Sequence, residues 1–124
     1  MLAKLFLIAC FTILPTCTAA QEIWSKGDEV AAFFICREEK DIMDLALADS
    51  KSREAYSGEI MRKRLSKDCF KFSGPPKLFI VDKVIISYKD HNKVETCVMR
   101  INTPDKMLAG YIVAAGTPAQ DKGI

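Results

Sequence analysis

Apolar residues along this chain change their spacing twice, and the changes divide it into three parts. After a polar lead-in, residues 30–35 (Val-Ala-Ala-Phe-Phe-Ile) form a short, continuous apolar run. Its length and its aromatic and β-branched content predict a buried strand. From 38 onward apolar residues recur every three or four positions. Ile42, Met43, Leu45, Ala46 and Leu47 make the stripe of a helix over 38–50, with Glu38, Glu39 and Asp41 at its positive end. Tyr56, Ile60, Met61 and Leu65 make the stripe of a second helix over 53–67. Gly58 weakens that helix by about 1 kcal/mol relative to alanine. With only Ser50-Lys51-Ser52 between them, the two helices are expected to fold back as a hairpin.

Ser73-Gly74-Pro75-Pro76 ends the helical period, because neither proline can continue a helix. Extended patterns follow at 78–88, 93–102 and 107–115, with a bulge or bend expected at Asp82-Lys83. The turns between them, Asp90-His91-Asn92 and Thr103-Pro104-Asp105, are short, which predicts an antiparallel meander. The class is therefore α+β: a strand, a two-helix hairpin and a three-stranded meander, arranged as a two-layer sandwich. A small, partly open barrel is the alternative. Residues 21–116 are read as one small domain and 117–124 as a flexible tail.

The N-terminus carries a different signal. Lys4, a mostly apolar run of about ten residues from Leu5 to Leu14, Pro15, and the small residues ending at Ala20 have the layout of a secretory signal peptide over 1–20. A membrane-spanning helix needs roughly twenty residues, so this run is too short to be a permanent anchor. The mature chain is expected in the periplasm or fully secreted. Leu14-Pro15-Thr16-Cys17 also resembles a bacterial lipobox, although Pro15 and Thr16 depart from the usual pattern. On that reading the protein is a lipoprotein on a membrane surface, anchored at Cys17.

Export changes the meaning of the cysteines. Cys36, Cys69 and Cys97 remain beyond the leader, in a compartment where thiols pair. Cys36 and Cys69 bracket the helical pair and are the preferred bridge, which stabilises by about 3–4 kcal/mol in the chain-entropy model. Cys97 shares a strand face with Met99 and Ile101 and is expected to pack as a small apolar group. One histidine and no Cys-x-x-Cys exclude the common zinc patterns, and the chain has neither a dinucleotide nor a phosphate loop. No metal and no cofactor are expected.

The formal charge is only +2, which gives no global field for nucleic acid. The distribution is uneven: seven acids against three bases over 38–59, then six bases against Asp68 alone over 62–77. Packing of an acidic helix on a basic one accounts for this without function. The functional reading is that Arg62, Lys63, Arg64 and Lys67 dock an acidic protein or envelope component, with Trp24 as a peripheral contact. A non-enzymatic binding domain is therefore the leading expectation. A lipid-tethered accessory of a secretion or phage-related assembly is one alternative. A small hydrolase using His91 with Cys97 or a serine is another.

Phe34-Ile35-Cys36, Arg64-Leu65-Ser66-Lys67-Asp68-Cys69, Val81-Asp82-Lys83-Val84 and Gly110-Tyr111-Ile112-Val113 together resemble a group of small exported proteins of bacteria and their prophages. The resemblance spans about residues 30–113. It implies the architecture and a Cys36–Cys69 bridge, with no activity attached, and Cys97 lies outside it.

Overall fold

The computed structural model describes residues 22–119. The signal peptide, the Cys17 lipidation site and residues 120–124 of the expected tail lie outside the described residues. Within them the order is β1 (Glu22–Trp24), β2 (Glu29–Ala32), β3 (Phe34–Cys36), α1 (Glu39–Lys51), α2 (Arg53–Leu65), β4 (Cys69–Lys71), β5 (Lys77–Lys89), β6 (Glu95–Asn102), β7 (Ala109–Ala115) and β8 (Thr117–Pro118). The class is α+β.

The meander is present as β5–β6–β7, antiparallel throughout. The pairing of β5 with β6 slips between Val81 and Lys83 and again between Val84 and Ile86. The first slip falls at the Asp82-Lys83 break in the apolar pattern. An extra residue on one strand increases local twist, and two such slips in one long strand bend the sheet.

The apolar run 30–35 is not one strand. It bends at Phe33 into β2, which pairs with β5, and β3, which pairs with β7 and β4. In the six-stranded order β2-β5-β6-β7-β3-β4, two segments joined by a single residue therefore sit four strands apart. That is possible only if the sheet curls until its ends approach, which makes a half-barrel. A continuous apolar run records burial and says nothing about which neighbour each half pairs with, so the bend leaves no mark in the pattern.

Two apolar clusters occupy the two faces. Val30, Ile35, Phe79, Val81, Cys97, Met99, Ile101 and Ile112 fill the concave side, with Phe72 against Phe79 at 6.0 Å between ring centroids. Ile42, Leu45 and Ala46 of α1, joined by Tyr56 and Ile60 of α2, cover the other face over Val98, Cys36 and Cys69. Strand β6 lies between these layers, so Thr96 to Met99 are buried on both faces. The sandwich of helices on a sheet and the curled barrel are two aspects of one structure.

Cys36 faces Cys69 across the β3–β4 pair and is disulfide-bonded to it, with Cα atoms 4.0 Å apart. The bridge ties the chain entering α1 to the chain leaving α2. Ser52 alone separates the helices; its hydroxyl accepts the Ala55 N–H at 3.0 Å and caps α2. At the far end of α2, Asp68 N donates to Lys63 O and Lys67 N to Arg64 O, at 3.0 and 3.1 Å. This closure puts Lys67 at φ +66°, a conformation usually filled by glycine.

Strands β1 and β8 were not expected from the sequence. They pair in parallel, and Trp24 Nε1 donates to Ala115 O at 2.7 Å. Thr117 and Pro118, assigned to the tail by the sequence, belong to β8. Gly116 makes this return possible, with φ +115° and with the Ile23 side chain 2.5 Å from where a Cβ would sit.

Candidate functional site

Three polar features stand out on this frame, and the chemistry of each follows from which groups are already engaged. The first is the contact between the helices. Lys63, expected among the partner-binding bases, is only 7 % exposed and turns inward. Its ammonium donates to Asp41 Oδ1 and Asp44 Oδ2, both at 2.8 Å, with Glu59 Oε2 at 3.7 Å. Asp41 is 1 % exposed. Burial pushes its carboxyl upward, but the hydrogen bond and charge of Lys63, joined by Lys40, outweigh it and hold the carboxyl below its ordinary range. Burial likewise opposes charge on Lys63, and its bonds to Asp41 and Asp44 keep the ammonium protonated above the usual lysine value. This pairing is what the acidic and basic helices were set up to make, and it removes Lys63 from the surface. Arg62 is exposed and paired with Glu59, one turn back on the same helix.

The second feature is a cleft of about 920 Å³ between the helix junction and the β5–β6 turn. Asp49, nearly buried, accepts from Tyr88 Oη at 2.7 Å. His91 Nδ1 lies 3.0 Å from the Asp49 carbonyl and 3.3 Å from its carboxylate. Tyr56 lines the same cleft; burial first, then the Asp49 charge, pushes its phenol to about 12. An Asp–His pair orients a general base in hydrolases, but a nucleophile must sit within hydrogen-bond reach of the imidazole. Among the described residues no hydroxyl or thiol hydrogen-bonds His91. Ser52, in the same cleft, is occupied as the α2 cap. Cys97 belongs to the cluster on the concave side of the sheet, and its Sγ donates to Gly116 O at 3.0 Å. Burial, then the Glu95 charge, pushes the Cys97 thiol up to about 11, so it is held as the neutral thiol. The structure therefore does not bring Cys97 and His91 together. The cleft ties the β5–β6 turn to the end of α1.

The third feature is the rim where β2 ends and β5 begins. Ala32 is paired with Lys77, Ile80 with Asn102, and Asn102 with Ala109. The end of β2, the start of β5 and the β6–β7 turn thus emerge together. Phe72 N donates to Phe33 O at 2.8 Å, which brings the β4–β5 connection to the same place. Phe33, Arg64, Lys71, Phe72, Ser73 and Gly74 line a shallow depression there, of about 500 Å³. Phe33 is 52 % exposed. Lys77 stands 5.7 Å from the Phe72 ring centroid, and Arg37 stands 4.7 Å from that of Phe70 farther along β4. Among the described residues Arg64, Lys67, Lys71 and Lys77 take part in no ion pair.

Of the residues singled out by sequence, Arg64 and Lys67 are thus free at the surface, Arg62 is paired, and Lys63 is internal. Trp24 packs against the concave cluster at the opposite end, where β6 begins and β7 ends. Lys71 and Lys77 lie in the basic run over 62–77 but were not singled out from it, and Phe33, expected in a buried strand, is exposed at the bend; they lie on separate elements that only strand pairing joins. Among the described residues no cluster of side chains is arranged to hold a metal ion. No described helix is long and apolar enough to cross a membrane. No protein-family model matches the chain, and neither the curated proteins nor the solved structures contain a match to it.

Proposed function

We propose that this chain is a small exported, non-enzymatic domain that holds an acidic component of the cell envelope on its basic rim. The observation that carries the reading is the set of unpaired cations, Arg64, Lys71 and Lys77, around exposed Phe33. Some charges elsewhere are matched, as in Arg62–Glu59, Lys89–Glu95 and Arg100–Asp82, while others such as Lys51, Arg53 and Lys93 are in no ion pair among the described residues either. What sets the rim apart is that its cations gather beside an exposed aromatic ring. Cations left over beside an aromatic surface suit an acidic partner, since binding supplies the missing counter-charges. Export is supported by the signal-like N-terminus and by the Cys36–Cys69 bridge, which persists in oxidising compartments. Cleavage after Ala20 leaves a soluble domain, whereas processing at Cys17 leaves the same domain tethered.

The test compares co-sedimentation of the wild-type protein and of Arg64→Glu/Lys71→Glu/Lys77→Glu with isolated cell envelopes, at low and high salt. The proposal requires salt-sensitive pelleting of the wild type and its loss in the triple variant, with Lys89→Glu as a single-site charge-reversal control away from the rim that still pellets. Equal pelleting of all three would remove the rim from consideration. Intact mass with N-terminal mapping of the exported protein separates the two processing routes. A chain that still begins at Met1 inside the cell ends the export reading.

A further inference from the structure

We infer that the acidic component is the surface of an anionic lipid bilayer, met by Phe33, Leu78, Met107 and Leu108 with Lys77 and Lys106 among the headgroup phosphates. This deepens the reading above and rests on it.

The β6–β7 turn is the main ground. Hairpin tips in water are ordinarily polar, and this one contains Thr103 and an exposed Asp105, whose side chains nevertheless make their hydrogen bonds to the turn itself. Thr103 Oγ1 donates to Asp105 Oδ1 at 2.6 Å and accepts from Leu108 N at 3.1 Å. Asp105 Oδ1 also accepts from Met107 N at 2.9 Å. Thr103 N donates to Leu108 O, and Lys106 N to Thr103 O, both at 2.8 Å. The turn is therefore closed by its own polar groups, with Lys106 in the left-handed region at φ +62°. Met107 is left 84 % exposed, and Leu108 is exposed beside it.

Strand pairing brings the other apolar groups to the same rim. Leu78, at the start of β5, and Phe33, at the β2–β3 bend, are both exposed. These side chains come from a bend, the start of a strand and a turn, and no single pocket among the described residues takes in all of them. A rigid partner would need a matching set of hollows, whereas a fluid headgroup layer accommodates separate projections. The charges agree. Lys77 and Lys106 flank the apolar tips and form no ion pair among the described residues. Asp105 is exposed and hydrogen-bonded within the turn, with its carboxyl held below the ordinary range chiefly by Thr103. Asp82, which also feels Lys106, faces Arg100 at 2.6 Å, so the two lysines outnumber the one carboxylate at the tips. Glu29 lies back along β2, opposite Ile80. Shallow apolar insertion and a few basic residues are the two contributions that together hold a protein reversibly at an anionic interface. The turn's internal hydrogen bonds mean that little ordering is needed on contact.

The test uses the exported, processed protein carrying Cys17→Ser, so that no acyl chain contributes. Binding is measured by sedimentation with vesicles of phosphatidylcholine alone and of phosphatidylcholine mixed equally with phosphatidylglycerol. Binding to the mixed vesicles only is expected. Met107→Asp/Leu108→Asp should weaken it by more than tenfold while leaving the thermal midpoint in place, because both side chains are exposed. Each of Lys77→Glu and Lys106→Glu should cost about fivefold or more, following the usual contribution of a basic residue near an anionic surface. Polyglutamate retention is run in parallel. Retention on polyglutamate with no vesicle binding, or vesicle binding unchanged in Met107→Asp/Leu108→Asp, overturns the lipid inference and leaves the acidic-partner reading standing. Failure on both probes overturns both.

Discussion

Replacing Lys63 by methionine removes its ammonium and keeps most of its stem, and the structure fixes what that does. Asp41 stays 1 % exposed but loses the charge 2.8 Å away. Asp44, whose side chain is half exposed, rehydrates, and Glu59 keeps Arg62, so most of the cost falls on Asp41. Removing one partner of a buried pair costs about 3–5 kcal/mol, a large share of the roughly 5–15 kcal/mol that holds a small domain folded. The pH dependence should change sign as well. In the wild type the Asp41 carboxyl titrates below its ordinary value, so the pair stabilises at neutral pH, and that stability is lost as pH falls through the folded-state value. In Lys63→Met burial acts on Asp41 with only the exposed Lys40, 3.5 Å away, left to oppose it, and raises its carboxyl. The variant then loses stability as pH rises above the unfolded value of about 4. Urea unfolding followed by Trp24 fluorescence, with the disulfide intact, measures this near neutral pH and near pH ~4. The deficit should be largest at neutral pH and shrink on acidification. A deficit below about 1 kcal/mol at neutral pH, or one equal at both, refutes the reasoning. Asp41→Leu/Lys63→Met should recover most of the loss, because it removes the orphaned charge along with its partner.

Four further outcomes follow from the geometry. Reducing the Cys36–Cys69 bridge should lower stability by about 3–4 kcal/mol in the chain-entropy model, read as a shift in the urea midpoint. Gly110→Ala would place a Cβ 2.5 Å from Ile35 Cδ1 and 2.8 Å from the Cys36 carbonyl oxygen, and should destabilise by about 1–3 kcal/mol in the same assay. Gly58→Ala faces open space within α2 and should stabilise by about 0.5–1 kcal/mol, visible as a raised thermal midpoint. Cys97, fully buried and with its thiol pushed to about 11, should resist iodoacetamide at mildly alkaline pH and react once urea unfolds the chain. Rapid labelling of the native protein would contradict its placement.

The helices, the meander and the Asp82-Lys83 irregularity were legible in the sequence because each is a local periodicity. So was the opposition of an acidic and a basic helix, and its outcome in the structure is the Lys63–Asp41 pair. The bend at Phe33 was not legible, since Val30 and Ile35 are equally apolar whether they sit in one strand or two. Strands β1 and β8 were missed for a related reason. Three-residue and two-residue strands are too short to show alternation, and their pairing rests on Gly116 and on the Trp24 indole. At the candidate site, Arg64 and Lys67 stood out as neighbours in a basic run. Phe33, Lys71, Lys77 and Met107 come together only through strand pairing, which one sequence does not display.

The most direct measurement is amide chemical-shift mapping of the exported protein as anionic lipid discs are added. The account predicts shifts confined to Phe33, to Arg64, to 71–78 and to the 103–108 turn, with the cleft around Asp49 and His91 and the β1–β8 end unmoved. Shifts centred on the Asp49–His91 cleft, or none at any lipid concentration, would contradict it.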